Sequence, residues 1–221
     1  MGGMLTPGMP DPLTLVIGLG ALALVPFIAV MATSYVKIAV ILSLVRNALG
    51  VQSIPPNMVL NGLAIILTVF VMAPVGQEAF RLAQESKADL STAQGIMTAL
   101  DAAKDPFKAF LRKRASPGEQ RFFVEAAHKL WPAEMADQVT TDDFMVLVPA
   151  FTVSELTSAF EIGFLLYLPF IAIDLIISNI LLAMGMMMVS PVTISLPLKL
   201  FLFVTVDGWT RLIHGLLLTY R

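Results

Sequence analysis

From Thr141 to Pro191 the chain reads TDDFMVLVPAFTVSELTSAFEIGFLLYLPFIAIDLIISNILLAMGMMMVSP. Thr141-Asp142-Asp143 is a helix start, with short polar side chains placed ahead of an apolar run. That run then continues to Met186, crossed only by Pro149, Pro169 and the acids Glu155, Glu161 and Asp174. Such a length of apolar helix exceeds the roughly 20 residues that cross a bilayer. Met186-Met187-Met188-Val189-Ser190-Pro191 reads as a turn, and Ile194 to Leu218 as one last hydrophobic helix. A connection this short makes the two helices an antiparallel hairpin.

The other end of the chain repeats the theme. Leu13 to about Leu49 is apolar, with Lys37 and Arg46 its only charges and Pro26 as an expected kink. It reads either as one long broken helix or as a span followed by a second helix at the interface. Gly50 to Asn57 is a turn, since Gly50 stops a helix and Pro55-Pro56 blocks its continuation. A second apolar run, Met58 to Val75, is expected to stop at Pro74-Val75-Gly76. Asp11-Pro12 is the cap expected ahead of the first helix. No basic residue precedes Lys37, so the pattern of a cleavable signal peptide is absent.

Charge separates these apolar ends from the middle. Of the 30 charged residues, 20 lie between Gln77 and Met145, 11 of them acidic and 9 basic. The division is therefore residues 1–76 as an N-terminal hydrophobic hairpin, 77–140 as a polar helical domain, and 141–221 as a C-terminal hydrophobic hairpin with a Met-rich tip. The fold class is an all-α membrane protein, two hydrophobic helical hairpins flanking a polar middle domain. Within that domain Ala79, Leu82 and Ala83 share a face, as do Ile96, Met97 and Leu100, and Phe107, Phe110 and Leu111. Ser116-Pro117-Gly118-Glu119 is a capping box. The helix it opens is expected to bury Phe122, Phe123, Ala126 and Leu130. Arg112, Lys113 and Arg114 read as a solvated face rather than a contact patch.

Composition fits lipid or a large obligate partner. The chain is 57% hydrophobic and only 14% charged, with a mean hydropathy of +0.82, whereas soluble domains carry roughly 25% charged residues. A net charge of −2 offers no field for nucleic acid. There is no cysteine, hence no disulfide and no thiol chemistry. Lys37 and Arg46 flank the first loop and place it in the cytoplasm, which puts the middle domain outside, in the periplasm of a Gram-negative cell.

Ionisable groups inside apolar helices are costly and are functional candidates. Here they are Lys37, Glu155, Glu161, Asp174, Lys199, Asp207 and Arg211. Structural pairing is the favoured reading, with Glu155 and Lys199 as the inter-helix or inter-subunit pair. The alternative is an ion channel or proton-coupled transporter using Glu155, Asp174 and Lys199 as a relay, although no internal repeat supports it. No catalytic motif is present. His128 and His214 lie far apart in the chain, so neither catalysis, a metal nor a cofactor is expected. Met184, Met186, Met187 and Met188 surround Gly185 at a hairpin tip. Flexible, polarizable side chains there suit either a closure that reopens or plain packing in lipid.

Several stretches together resemble one family. They are Leu147-Val148-Pro149-Ala150-Phe151-Thr152-Val153-Ser154-Glu155-Leu156, Ala159-Phe160-Glu161-Ile162-Gly163-Phe164, Leu168-Pro169-Phe170 and Ile173-Asp174-Leu175. Met184-Gly185-Met186-Met187-Met188-Val189-Ser190-Pro191, Leu196-Pro197-Leu198-Lys199-Leu200 and Val206-Asp207-Gly208-Trp209 follow in order. Near the other end, Leu42-Ser43-Leu44-Val45-Arg46-Asn47-Ala48-Leu49-Gly50 joins them, with Gln52, Ser53 and Pro55-Pro56-Asn57. The pattern resembles the FliP/SctR family, export-gate subunits of flagellar and injectisome type III secretion systems, and the injectisome branch more than the flagellar one. The resemblance implies a multi-pass protein of the bacterial inner membrane in a homo-oligomeric, pentameric ring. It implies FliQ/SctS-like and FliR/SctT-like partners, an FlhB/SctU-like switch protein on the cytoplasmic side, and unfolded export substrates crossing the centre. It also implies that Met186, Met187 and Met188 form a gasket sealing that pore.

Overall fold

A computed structural model of the chain describes residues 12–51, 53–88 and 92–221. Asp11 and Gln52, named above, lie outside them. Among the described residues every regular element is a helix. The first apolar segment is two helices, α1 (Pro12–Met31) and α2 (Tyr35–Ala48). The break falls at residues 32–34, not at Pro26, which sits inside α1. Thr33 explains it: its hydroxyl donates to the Ala29 carbonyl at 2.6 Å and stands 3.5 Å from the Tyr35 amide, so side chain competes with backbone.

α2 ends at Gly50, whose φ of +80° is the left-handed conformation that glycine adopts without a Cβ penalty. Arg46 then braces the turn, donating to the Pro55 carbonyl at 3.3 Å and to Asn57 Oδ1. Asn57 opens α3 (Asn57–Glu85), which does not stop at Pro74-Val75-Gly76 as its sequence suggests. A proline inside a helix removes one donor. The turns beyond it are supported by Arg81, which bonds Glu78 at 2.9 Å and Glu85 at 2.6 Å, three and four residues away.

The polar region is α4 (Ala93–Arg114), α5 (Pro117–Leu130) and the single turn α6 (Ala133–Ala136). Ser116 caps α5 through Glu119 N at 3.2 Å, as expected. The reciprocal half of the box is supplied differently. Ser116 N donates to Ser154 Oγ at 2.9 Å, which pins the start of α5 to the long apolar helix α7 (Phe144–Ala183). The expected buried face of α5 is corrected in part: Phe123 and Ala126 are half-buried, but Phe122 is 58% and Leu130 80% exposed, and Ala127 is buried.

α7 (Phe144–Ala183) is a single 40-residue helix passing through Pro149 and Pro169. The last apolar segment is not one helix but two, α8 (Pro191–Thr205) and α9 (Gly208–Leu218), bent by 62°. Asp207 makes the corner with φ +53°, and a Cβ on Gly208 would stand 2.4 Å from the Phe203 ring. Backbone conformation and close approach together fix the bend.

The centre of the molecule is α2, not a lipid-facing span. Ile38, Ile41, Leu42, Val45 and Ala48 pack with Leu60, Ala64 and Leu67 of α3, Ala159 and Phe170 of α7, and Leu212 and Leu216 of α9. α2 runs parallel to α7, and Gly163 permits the contact, because a Cβ there would fall 2.3 Å from Leu44 Cδ1. A smaller core joins Leu111 and Ala115 to Leu147, Ala150 and Phe151, fastening α4 to the start of α7. Among the described residues, α3 and α7 are long and apolar enough to cross a membrane, as is α8–α9 if the bent pair is one span.

Candidate functional site

α7 and α8 pack as an antiparallel hairpin, and its tip is built by backbone chemistry. Gly185 has φ +73°, Met186 N donates to Leu181 O at 2.9 Å, and Gly185 N donates to Leu182 O at 3.0 Å. Those two bonds are a Schellman motif, which closes the carbonyl end of α7. Pro191, at the first position of α8, restarts the chain in the opposite direction. Met184, Met187 and Met188 are exposed at 67%, 81% and 101%, and Met186 at 43%. The tip therefore presents a cluster of thioether side chains that nothing among the described residues covers.

Counting back from that tip sets the register. Asp174 lies 12 residues before Met186 and Lys199 13 after it, so the two oppose each other. Lys199 Nζ meets Asp174 Oδ2 at 2.6 Å and donates to the Ala48 carbonyl of α2 at 3.2 Å. Ser195 Oγ donates to Asp174 Oδ1 at 2.6 Å. Lys199 is thereby removed from Glu155. The expected Glu155–Lys199 pair is not formed within the chain, because the two acids on α7 stand 19 residues apart, about 28 Å along the axis.

Glu155 has its own partners. Lys37 Nζ of α2 lies 3.6 Å from Glu155 Oε1, both side chains almost fully buried. The Tyr220 hydroxyl, just past α9, donates to Glu155 Oε2. Lys37 Nζ stands 5.1 Å from the Tyr220 ring centre, and the Arg114 guanidinium lies 5.0 Å from the same centre. Arg114 also donates to the Thr219 carbonyl. Burial, and then the Glu155 charge beside it, hold the Tyr220 phenol above its ordinary pKa, so it remains a donor. Four parts of the chain thus meet at one carboxylate: α2, α4, α7 and the segment after α9.

The structure separates the remaining candidates. Glu161, Asp207 and Arg211 are exposed, and none takes an ion pair among the described residues. His128 and His214 are exposed on α5 and α9. Arg112 pairs with Asp142 at 3.2 Å, while Arg114 turns inward, so the basic run does not act as one face. Glu155, Asp174 and Lys199 do not converge on one path; each acid closes a separate cluster. The sequence does not single out Ser195 or Tyr220, and it reads Arg114 as part of a solvated face. Opposition across the hairpin is the signal that finds Ser195, and Tyr220 lies about as far beyond the tip as Glu155 lies before it.

The sequence model of the FliP family matches residues 19–216. The chain is 57% identical over 212 residues to the Yop proteins translocation protein R of Yersinia pestis, covering 96% of this chain and 98% of that one. It is 55% identical over 207 residues to the hypersensitivity response secretion protein HrcR of Ralstonia nicotianae, covering 91% and 94%. The virulence protein YscR of Salmonella typhimurium is 47% identical over 205 residues, again covering 91% and 94%.

Proposed function

The chain belongs to the FliP family, on its injectisome side, as a type III secretion export protein, and from that premise we propose that copies of it form a ring whose methionine tips close a protein-conducting pore. The observation that carries this reading is the tip itself. Met186, Met187 and Met188 are unburied by their own chain, sit on a turn fixed by Gly185, and project from a hairpin locked by the Asp174–Lys199 ion pair. A rigid stalk with a soft end is what a reversible seal needs. The backbone sets where the constriction lies, and unbranched thioethers fill it against ions, yet yield to an unfolded chain of any sequence.

In this reading the protein is a component of the inner membrane whose α4–α6 region lies on the periplasmic side. FliQ/SctS-like and FliR/SctT-like subunits complete the assembly, an FlhB/SctU-like protein docks on the cytoplasmic side, and unfolded export substrates pass through the centre. The subunit count is five. The buried groups are structural: Lys37–Glu155–Tyr220 and Asp174–Lys199–Ser195 consume their charges locally.

The test is ion leakage. Replacing Met186, Met187 and Met188 together by Ala is expected to leave the complex assembled while making the resting pore conduct small ions, measured as current across a planar bilayer. A triple variant that assembles, secretes and remains as tight as the parent would remove the gasket.

A further inference from the structure

Between the end of α1, the middle of α4 and the start of α7 lies an apolar groove of about 410 Å³, within the roughly 300–1,000 Å³ of ligand sites. Ile28 and Ala32 form one wall, Ala103 and Phe107 the second, Phe144 and Val148 the third. The groove opens onto two exposed apolar surfaces. One is α1, where Phe27 and Ile28 are 68% and 58% exposed; the other is the α4 stripe of Ile96, Met97 and Leu100. An amphipathic helix with Lys on its flanks beside such a stripe has the composition of a membrane-surface element.

Lys104 lines the groove but holds Asp101, and the cation there without an ion pair among the described residues is Lys108, which stands beside the groove over the face of Phe144. Lys108 Nζ lies 5.4 Å from the centre of the Phe144 ring and takes no ion pair among the described residues. Its neighbours on α4 do not supply one: Lys104 holds Asp101, Asp105 lies on an exposed position, and Arg112 is taken by Asp142. We infer that this groove binds one phospholipid molecule, with an acyl chain between α1 and α4 and an anionic headgroup phosphate at Lys108. The apolar walls continue into the exposed apolar surface of α1, and the free ammonium matches the one charge an anionic phospholipid brings. The inference stands apart from the export reading, since it concerns the isolated chain.

The experiment uses the purified full-length protein in detergent, given phosphatidylglycerol or phosphatidylcholine with identical chains, and counts lipid retained per chain by native mass spectrometry. The wild type is expected to retain phosphatidylglycerol over phosphatidylcholine. Lys108→Gln should cut phosphatidylglycerol retention about fivefold, the weight of one lysine at an anionic surface, and leave phosphatidylcholine unchanged. Ala103→Trp, which fills the groove, should lower both. Millimolar inorganic phosphate should displace neither. Equal retention of the two lipids with no effect of Lys108→Gln would overturn the inference. So would displacement by phosphate alone, or an Ala103→Trp variant that loses self-association while keeping its lipid, because a second copy would then be the occupant. Should Ala103→Trp fail to fold, Lys108→Gln and the phosphate competition decide between the outcomes.

Discussion

Replacing Gly163 by Ala is a small change with a sign that the α2–α7 contact determines. In an exposed helix interior the substitution stabilises by about 1 kcal/mol, because Gly carries the larger entropic cost. Here the new methyl would stand 2.3 Å from Leu44 Cδ1 and 3.4 Å from its Cβ and Cγ, against a carbon–carbon optimum of about 3.5–4.0 Å. Leu44 must leave its rotamer or the helices must separate, and such overpacking costs about 1–3 kcal/mol. The variant should therefore be destabilised by up to about 2 kcal/mol, which lowers the unfolding midpoint by roughly 2–4 °C per kcal/mol at this chain length. Leu44→Ala removes the colliding Cδ1, and in that background Gly163→Ala should stabilise by up to about 1 kcal/mol. Thermal unfolding of the four proteins in one detergent measures the coupling directly. A cycle additive to within about 0.5 kcal/mol would refute the argument, since it would mean that α2 and α7 do not meet at this glycine.

Two further outcomes follow from the buried charges and the αL corner. Asp174→Asn should cost about 3–5 kcal/mol, because it strands the Lys199 ammonium, whose side chain is 4% exposed. Lys199→Met should cost less, since Asp174 is 33% exposed and keeps Ser195; the double variant should recover much of the loss, and two equal, additive single losses in thermal unfolding would contradict the pairing. Asp207→Gly should raise the midpoint by about 0.5–1 kcal/mol in stability, because Asp207 holds φ +53° and its side chain makes no capping bond; a lower midpoint would mean that the Asp207 side chain supports the bend.

The helical class, the two apolar ends and the places where chains turn were legible in the sequence, because each has a local cause. Gly50, Gly185, Ser116 and the Thr141-Asp142-Asp143 start all act through their own neighbours, and all sit where the sequence puts them. What was not legible depends on distant residues. Pro74 reads as a stop, yet the helix continues past it and packs along α4. Phe122 and Leu130 read as part of a buried face, but both stay exposed among the described residues. The part of the first apolar segment that carries Lys37 reads as the far end of a broken helix or as a helix at the interface, whereas Glu155, more than a hundred residues away, lets that lysine be buried in α2. Opposite charge on two helices of a hairpin suggests Glu155 with Lys199, but the tip fixes the register, and within the chain the register joins Lys199 to Asp174.

The length of α7 has a consequence of its own. Forty residues of α-helix extend about 60 Å, and the hydrocarbon layer is about 30 Å thick. Even at a tilt of about 40°, the upper end of what membrane helices adopt, it would rise about 46 Å. Lipid tails can therefore clothe about half of this helix upright and about two-thirds of it at that tilt. Phe160, Phe164, Leu165 and Leu168 in its middle, and Leu175, Ile176, Ile180 and Leu182 toward its end, are all exposed in the single chain. Exposed apolar positions on this helix begin at Met145 and run to Leu182, about 56 Å of axis, so the part that lies beyond the oil has to find its solvent in other polypeptide.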